Sequence, residues 1–302
     1  MSLVNDQGKI LVTGACGHIG RQLCRVLRDA NREVLPVDVN QDKTPDVLTC
    51  DLTSRSDVSK LLQAYPIRVV IHLAGILPGA FQTDPLAGAD VNLSGSCELM
   101  RQSAATHVKR IVFASSMSVY GSSATSRALT EEDPAAPDES YGASKRAVEL
   151  IGHTLARKGT FEFVALRIAR VVGPGIKRTA SPWRSQIFEA RPQQGSVYVP
   201  FAPEAVLSLV HVEDVARMLL TLAETAELSS VVYNTPVEVW IVIQLKEAVE
   251  EPRGIRIALG GEVVHGGPIC DGNRFAREFQ FQLTPLREHL SGCARKNPAP
   301  VA

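Results

Sequence analysis

Short β-branched runs alternate with amphipathic helical stretches through the first half of the chain, and this alternation restricts the fold more than any other feature. KILVTG from Lys9 reads as a strand, and Arg21 to Arg28 as a helix with Leu23, Val26 and Leu27 on one face. Strand readings follow at Glu33–Asp38, Arg68–Leu73, Arg110–Ser115 and Phe161–Leu166. Helical readings lie between and after them at Asp57–Ala64, Val91–His107 and Tyr141–Lys158. Strands separated by helices cannot pair as hairpins, so they form a parallel sheet covered on both faces. After Gly173 the rhythm breaks, and GPGIKRTASPWRSQ reads as a loop. A strand–helix pair over Ser208–Leu222 and an αβ segment to Leu290 complete the pattern, and CARKNPAPVA reads as a frayed tail.

Composition excludes several classes of partner. At 302 residues and 45% hydrophobic, the chain can bury one large α/β core with or without a smaller lobe. Lys plus Arg (32) balance Asp plus Glu (32) without any like-charge run, which gives no footing for nucleic acid or an acidic membrane surface. No apolar stretch approaches the roughly 18 residues of a membrane helix. MSLVNDQGKI lacks a secretion pattern, so a cytoplasmic location is the expectation. Cys16, Cys24, Cys50, Cys97, Cys270 and Cys293 are scattered without a CxxC pair, so neither zinc, nor any other metal, nor a disulfide framework is expected.

TGACGHIG follows the first strand directly and opens a helix, with Gly14, Gly17 and Gly20 spaced three apart. Glycines there let backbone N–H groups approach a pyrophosphate at a helix N-terminus, with His18 and Ile19 in the same turn. The plain alternative is a Gly-rich turn and nothing more. Asp38 ends the second strand near the roughly 20-residue offset at which a carboxylate meets adenosine ribose hydroxyls. A carboxylate there repels a 2′-phosphate and favours NAD over NADP, although Arg21 and Arg25 lie near enough in sequence to soften that preference. Asp51, before Leu52, is either an acceptor for the adenine amine or a turn or cap residue. In HLAG, Leu73, Ala74 and Gly75 close a strand where small residues let a cofactor pass, and His72 reads as a core histidine.

YGASK sets Tyr141 and Lys145 four residues apart, on one face of a helix. A phenol with a pKa of about 10 is a poor base near neutrality. An adjacent ammonium and an oxidised nicotinamide lower that pKa toward the working range. Upstream, FASSMSVYG ends a buried strand at the carboxyl edge of the sheet, where open α/β folds bind ligands.

Taken together, TGxxGxxG, the acid after the second strand, HLAG, SSxSVYG, YxxxK, LRxxxxxGPG and VHVEDVA resemble the extended short-chain dehydrogenase/reductases. The likeness runs from Lys9 to Asn234, with a weaker echo to Leu290. It implies an α/β, Rossmann-type doubly wound parallel sheet with a smaller C-terminal substrate-binding lobe. The NAD-binding domain is expected over 1–167, completed by 203–225, with the lobe over 168–202 and 226–291 and a flexible tail over 292–302. By position, the resemblance makes Ser116 the catalytic hydroxyl, Tyr141 the acid/base, Lys145 the pKa-lowering lysine and Asn92 the helix-bending asparagine of the proton relay. Ser115 and Ser118 are near-neighbours whose plain role is packing or capping, Ser118 being also a candidate substrate contact. Arg167 and His211 match mainly structural positions. The helices Val91–His107 and Tyr141–Lys158 correspond to those through which family members form homodimers.

Departures from the family narrow the chemistry. Members that dehydrate nucleotide sugars carry an Asp-Glu pair where Met117 and Ser118 stand here. Epimerases carry an arginine in RDFVHV that clamps a diphosphate. Here LSLVHV places Leu207 there, and Arg170 replaces an asparagine. Lys177, Arg178 and Arg184 follow GPG with no acid until Glu189, a set suited either to gripping a carboxylate or to a solvated loop. Arg170, Arg178 and Arg184 are therefore the candidate substrate-binding bases. The expected activity is NAD-dependent oxidation or reduction of a secondary alcohol on a sugar-like or sugar-acid molecule. An NAD-retaining epimerase and a non-catalytic NAD sensor are the alternatives.

Overall fold

In a computed structural model of the protein, which describes residues 8–40, 46–122, 127–176, 181–191, 195–261 and 265–296, the expected alternation is realised. β1 (Lys9–Thr13) leads through the Gly-rich turn into α1 (His18–Asp29), which buries Leu23, Cys24 and Leu27 against the sheet. β2 (Val34–Asp38) and β3 (Leu48–Thr49) follow. Ser54 caps α2 (Arg55–Ala64) by accepting the Asp57 N–H at 3.3 Å. β4 (Ile67–His72) precedes two short helices that begin on prolines, α3 (Pro78–Thr83) and α4 (Pro85–Ala89). A π-helical turn over Asp90–Gly95 joins α4 to α5 (Ser96–Ser103). The helix expected over Val91–His107 thus starts earlier and ends at Ser103. Residues 104–106 instead close tight turns, through Ala105 N to Gln102 O and Thr106 N to Ser103 O, each 3.1 Å.

β5 (Arg110–Ser116) is buried at every residue and runs into a 3₁₀ turn over Met117–Tyr120. After α6 (Ser140–Ala156) come β6 (Glu162–Ile168) and β7 (Arg170–Val172). α7 (Trp183–Glu189) corrects the loop reading. Trp183, Ile187 and Phe188 share an apolar face that lies mostly beyond the aperiodic GPG stretch, and Pro182 sits at the N-cap. The chain continues with β8 (Ser196–Val199), β9 (Val206–His211), α8 (Val212–Glu224), β10 (Val232–Asn234) and β11 (Glu238–Ile241). It ends with α9 (Val242–Arg253), β12 (Arg256–Leu259), α10 (Asn273–Glu278) and α11 (Leu286–Lys296).

Seven parallel strands form the central sheet in the order β10-β6-β5-β4-β1-β2-β3. The order reverses between β1 and β4, which opens a crevice at their carboxyl ends. Apolar layers cover both faces, Leu23, Leu27, Val215 and Leu219 on one and Val58, Leu61, Leu99 and Val148 on the other. A third cluster gathers Trp183, Ile187, Phe188, Trp240, Leu245 and Leu290 beside a small sheet ordered β11-β9-β7. One part of the segment expected in the lobe belongs elsewhere. Val232 and Tyr233 pair with Ala165 and Leu166, so β10 extends the central sheet.

The close approach of α6 to β6 depends on a missing side chain. A Cβ on Gly152 would lie 2.4 Å from the Phe163 ring. Gly152→Ala should therefore destabilise the fold by roughly 1–3 kcal/mol through overpacking, although alanine favours helix by about 1 kcal/mol. Equilibrium urea unfolding reads the difference, and unchanged stability would contradict this packing.

Candidate active site

The Gly-rich turn is shaped by contacts that exclude side chains. Gly14 has φ +71°, and a Cβ there would lie 2.7 Å from Ala74 N. A Cβ on Gly20 would lie 2.1 Å from Gly14 O, so α1 can start this close to β1 only without one. Gly17 is the N-cap of α1, and no side chain caps that end, which leaves its amides suited to a pyrophosphate. Ile19 packs on the core. His18 Nε2–H donates to Pro174 O at 3.0 Å, and burial pushes its pKa down to about 4.

Asp38 stands at the mouth of this turn, where Oδ2 accepts Cys16 N–H and Oδ1 accepts Asn40 N–H, both at 3.0 Å. Arg21 bonds to Cys16 O and Gly175 O, and Arg25 pairs with Glu213 at 3.0 Å. Both guanidiniums are thus engaged with protein oxygens. Asp51 Oδ1 accepts from Thr53 N and Oγ1 at 2.9 and 2.8 Å, a turn role, while Ser54 provides the helix cap. Leu52 is buried beside Gly95.

His72 is a satisfied core residue that locks two elements together. The Thr13 hydroxyl lies 2.7 Å from its Nδ1 and accepts Ala74 N–H at 3.2 Å. On the other side, Nε2 lies 2.9 Å from Ser96 Oγ, which donates to Asn92 O at 2.7 Å. The chain of donors is consistent only with the proton on Nε2. Leu73 N–H donates to Thr13 O at 3.2 Å, completing the seam with β1.

Strand alternation decides which serine faces the crevice. Ser115 Oγ donates inward to Glu149 at 2.6 Å, whereas Ser116 Oγ accepts Ser118 N–H at 3.1 Å and lies near enough to the Tyr141 phenol to favour its ionised form. Ser118 contributes its backbone: a Cβ on Gly142 would lie 2.3 Å from Ser118 O, so glycine lets the first turn of α6 sit on the 3₁₀ turn. Glu139 caps that turn through Gly142 N–H at 3.1 Å. Lys145 Nζ donates to Ala114 O at 2.9 Å and lies 5.7 Å from the Tyr141 ring centroid. A Cβ on Gly75 would lie 3.5 Å from Lys145 Nζ and 3.0 Å from Asn92 Oδ1. Asn92, within the π-helical turn, accepts Ile76 N–H at 2.6 Å and donates to Ile76 O at 2.9 Å. It thereby holds the segment after HLAG beside the lysine.

Burial dominates the electrostatics. It pushes Tyr141 up to about 12, with the nearby Ser116 hydroxyl opposing, Glu139 adding to the rise and Arg184 reducing it. It pulls Lys145 down to about 8, with Glu149 opposing. The protein groups alone therefore hold the phenol neutral.

Glu149 is the residue that sequence reasoning missed. It is fully buried, accepts from Ser115, Arg146 and Arg167, and keeps a low pKa because these donors outweigh its burial. Arg167 also donates to Tyr120 Oη at 2.8 Å. The signal was available: Glu149 continues the four-residue spacing of Tyr141 and Lys145 along α6.

Of the candidate substrate bases, Arg178 lies outside the described residues, as does Lys177. Arg170 sits with its guanidinium 5.0 Å from the Phe201 ring centroid. Burial and the neighbouring Arg184 lower its pKa to about 10. Arg184, on α7, is close enough to Tyr141 for each to influence the other's charge. Arg184 thus influences both Tyr141 and Arg170, and Arg170 follows by two residues Ile168, the register partner of Ser116. Leu207, in the place of the epimerase arginine, is fully buried in the third apolar cluster.

Ligand atoms of His211, Glu213 and His289 lie within 4.8 Å of one another. The two imidazoles, however, stack with centroids 3.5 Å apart and planes 20° apart. Nearly parallel rings cannot aim their in-plane lone pairs at one ion, so the cluster is poorly arranged for a metal.

With this geometry in view, the comparisons with known proteins are decisive at the level of family. Residues 10–235 match the NAD dependent epimerase/dehydratase family. The chain belongs to that family, whose members are NAD-dependent epimerases and dehydrogenases. It is 27% identical over 239 residues to UDP-glucose 4-epimerase of Erwinia amylovora, covering 69% of this chain and 71% of that protein. D-erythronate dehydrogenase of Cupriavidus necator is 30% identical over 223 residues, covering 67% of each chain. The structure of MoeE5 in complex with UDP-glucose and NAD superposes with a TM-score of 0.81 at 29% identity, covering 97% of this chain and 100% of that one. Among the described residues no helix is long and apolar enough to cross a membrane.

Two buried histidines make acid stability a check on this site. Burial lowers both His72 and His211 to about 3, with Lys145 adding to the effect at His72 and His289 at His211. Unfolding restores the ordinary value near 6.5, so below it the unfolded chain takes up protons that the folded protein refuses. Stability should fall as the pH drops from about 6.5 toward 3, by up to about 1.4 kcal/mol per pH unit for each histidine. Urea unfolding between about pH 7 and about pH 5 reads this slope, and a flat profile would contradict it.

Proposed function

We propose that this protein is an NAD-dependent oxidoreductase of the extended short-chain type, interconverting a secondary alcohol and a ketone on a sugar-like or sugar-acid small molecule. The observation that carries this reading is the meeting of Ser116, Tyr141 and Lys145 at the carboxyl edge of the sheet, next to Gly75 and Asn92. The turn at Gly14, Gly17 and Gly20, with Asp38 beside it, fits the pyrophosphate and adenosine ribose of NAD. Asp51 and Leu52 would flank the adenine, and Leu73, Ala74 and Gly75 the passage to the nicotinamide. Residues 1–167 with 203–225 form the cofactor-binding unit in this proposal, and 168–202 with most of 226–291 form the substrate lobe.

Bound oxidised NAD supplies the hydride acceptor and a positive charge near the phenol. Tyr141 then takes the proton of the substrate hydroxyl as the carbon gives up its hydride, and returns it in the reverse direction. Ser116 donates a hydrogen bond to the substrate oxygen. Lys145 stabilises the phenolate and is placed to hold the nicotinamide ribose. Asn92 acts as a positioning residue by fixing Ile76 beside Lys145.

An epimerase that keeps its NADH is the second reading, favoured by the likeness to UDP-glucose 4-epimerases. Leu207 argues against it, because a buried leucine stands where the customary diphosphate-clamping arginine would be. NADH released in proportion to substrate supports the dehydrogenase; product formed without net NADH supports the epimerase. Tyr141→Phe should lower kcat by about 10²–10⁴-fold with NAD affinity retained. Undiminished turnover would remove Tyr141 as the acid/base and the proposal with it, whereas NAD binding by the parent protein without turnover of any alcohol or ketone would revive a non-catalytic NAD sensor. Exposed Leu150 and Ile151 on α6 support a homodimer, which light scattering can read.

A further inference from the structure

Two buried arginines and one partly buried arginine differ in how their guanidinium groups are partnered. Arg110 is saturated by Glu162 and by the carbonyls of Leu222, Thr225 and Ala226. Arg167 is saturated by Glu149 and Tyr120. Arg170, three residues further on, forms no hydrogen bond or ion pair with any described residue, and its Nη1 is shielded from solvent. A guanidinium cannot relieve this by losing its proton under ordinary conditions. Desolvating it without a counter-charge costs stability, and the nearby Arg184 adds repulsion. The Phe201 ring at 5.0 Å from the guanidinium carbon restricts the orientation of its plane. A preoriented, unpaired fork of N–H donors is suited to two oxygens of one anion.

We propose that Arg170 is the receptor for an oxyanion carried by the substrate, a carboxylate or a phosphate placed within reach of the carbon that Tyr141 and Ser116 serve. This rests on the oxidoreductase reading for the word substrate, but the anion site stands on Arg170 itself. Arg184 lies between this receptor and the phenol in electrostatic terms, since it influences both. It adds positive potential to the same neighbourhood. A neutral polyol would leave the Arg170 fork unmet and be disfavoured.

The test measures binding in Tyr141→Phe protein saturated with NAD, so that turnover plays no part. D-erythronate supplies a carboxylate, UDP-glucose a diphosphate, UDP-glucuronic acid both, and erythritol neither. At least one oxyanion probe should bind and erythritol should not; Arg170→Gln should weaken the tightest probe by about 30-fold or more. Binding of D-erythronate alone assigns a carboxylate, and binding of UDP-glucose assigns a diphosphate. Arg170→Met removes the unpaired charge but keeps an apolar stem against Phe201, so without ligand it should melt a few degrees above the parent. The proposal is overturned if no oxyanion probe binds, if Arg170→Gln binds as tightly as the parent, or if Arg170→Met melts lower. NADH release by the unmutated enzyme is read separately. Arg170-dependent binding without any NADH or epimerised product would support the anion site and overturn the oxidoreductase reading alone.

Discussion

A carboxylate with no solvent exposure holds the candidate active site together. Glu149 ties α6 to Ser115 of β5 and to Arg167 of β6, and Arg167 passes the connection to Tyr120. Removing either charged partner would strand the other and cost about 3–5 kcal/mol. The direction of α6 follows from this anchor, and with it the positions of Lys145 and Tyr141 one and two turns earlier. Gly142 completes the arrangement by letting the helix start against Ser118 O. The geometry of the site is thus imposed from underneath, by groups that never meet a substrate.

That rigidity comes with an electrostatic consequence. The same burial that fixes Tyr141 keeps its phenol neutral, at about 12, and brings Lys145 down to about 8. The phenol is therefore not poised by the protein alone for proton transfer near neutrality. In the proposed reaction the missing positive charge comes from the oxidised cofactor, so acid/base competence arises only with the cofactor in place. A dehydrogenase benefits from this order, because an ionised phenol in a dry pocket without a partner would be expensive.

The fold was legible because its determinants are local. Periodicity in KILVTG, Arg110–Ser115 and Phe161–Leu166 marked central strands, and glycine spacing marked the turn that Gly14 and Gly20 make sterically obligatory. Ser116 was separable from Ser115 by strand alternation once the end of β5 was placed. What sequence could not supply depends on contacts between distant segments. The length of the helix before Ser103 is set by a π-helical turn at Asn92 and by tight turns after Ser103, and neither leaves a periodic mark. β10 joins the large sheet because Val232 and Tyr233 find β6, a pairing of residues far apart in the chain. Asp51 left two readings open, and the Thr53 contacts show that its turn role does not depend on a ligand.

The cofactor turn and the segment leading to the candidate substrate bases are physically joined. His18 reaches Pro174 O, Arg21 reaches Gly175 O, and Gly175 N–H returns to Glu189 at the end of α7. α7 carries Arg184, and Gly173 N–H donates to Arg184 O at 3.0 Å. The α1 N-terminus, the GPG backbone and the helix bearing Arg184 are therefore joined by one chain of hydrogen bonds. Burial keeps His18 neutral near pH 7, so it holds Pro174 O as a plain N–H donor rather than as a cation. The His18 contact is then insensitive to ordinary pH changes. A site that must bring a hydroxyl-bearing carbon between two separately bound groups is well served by such a coupling, because it sets one side with reference to the other.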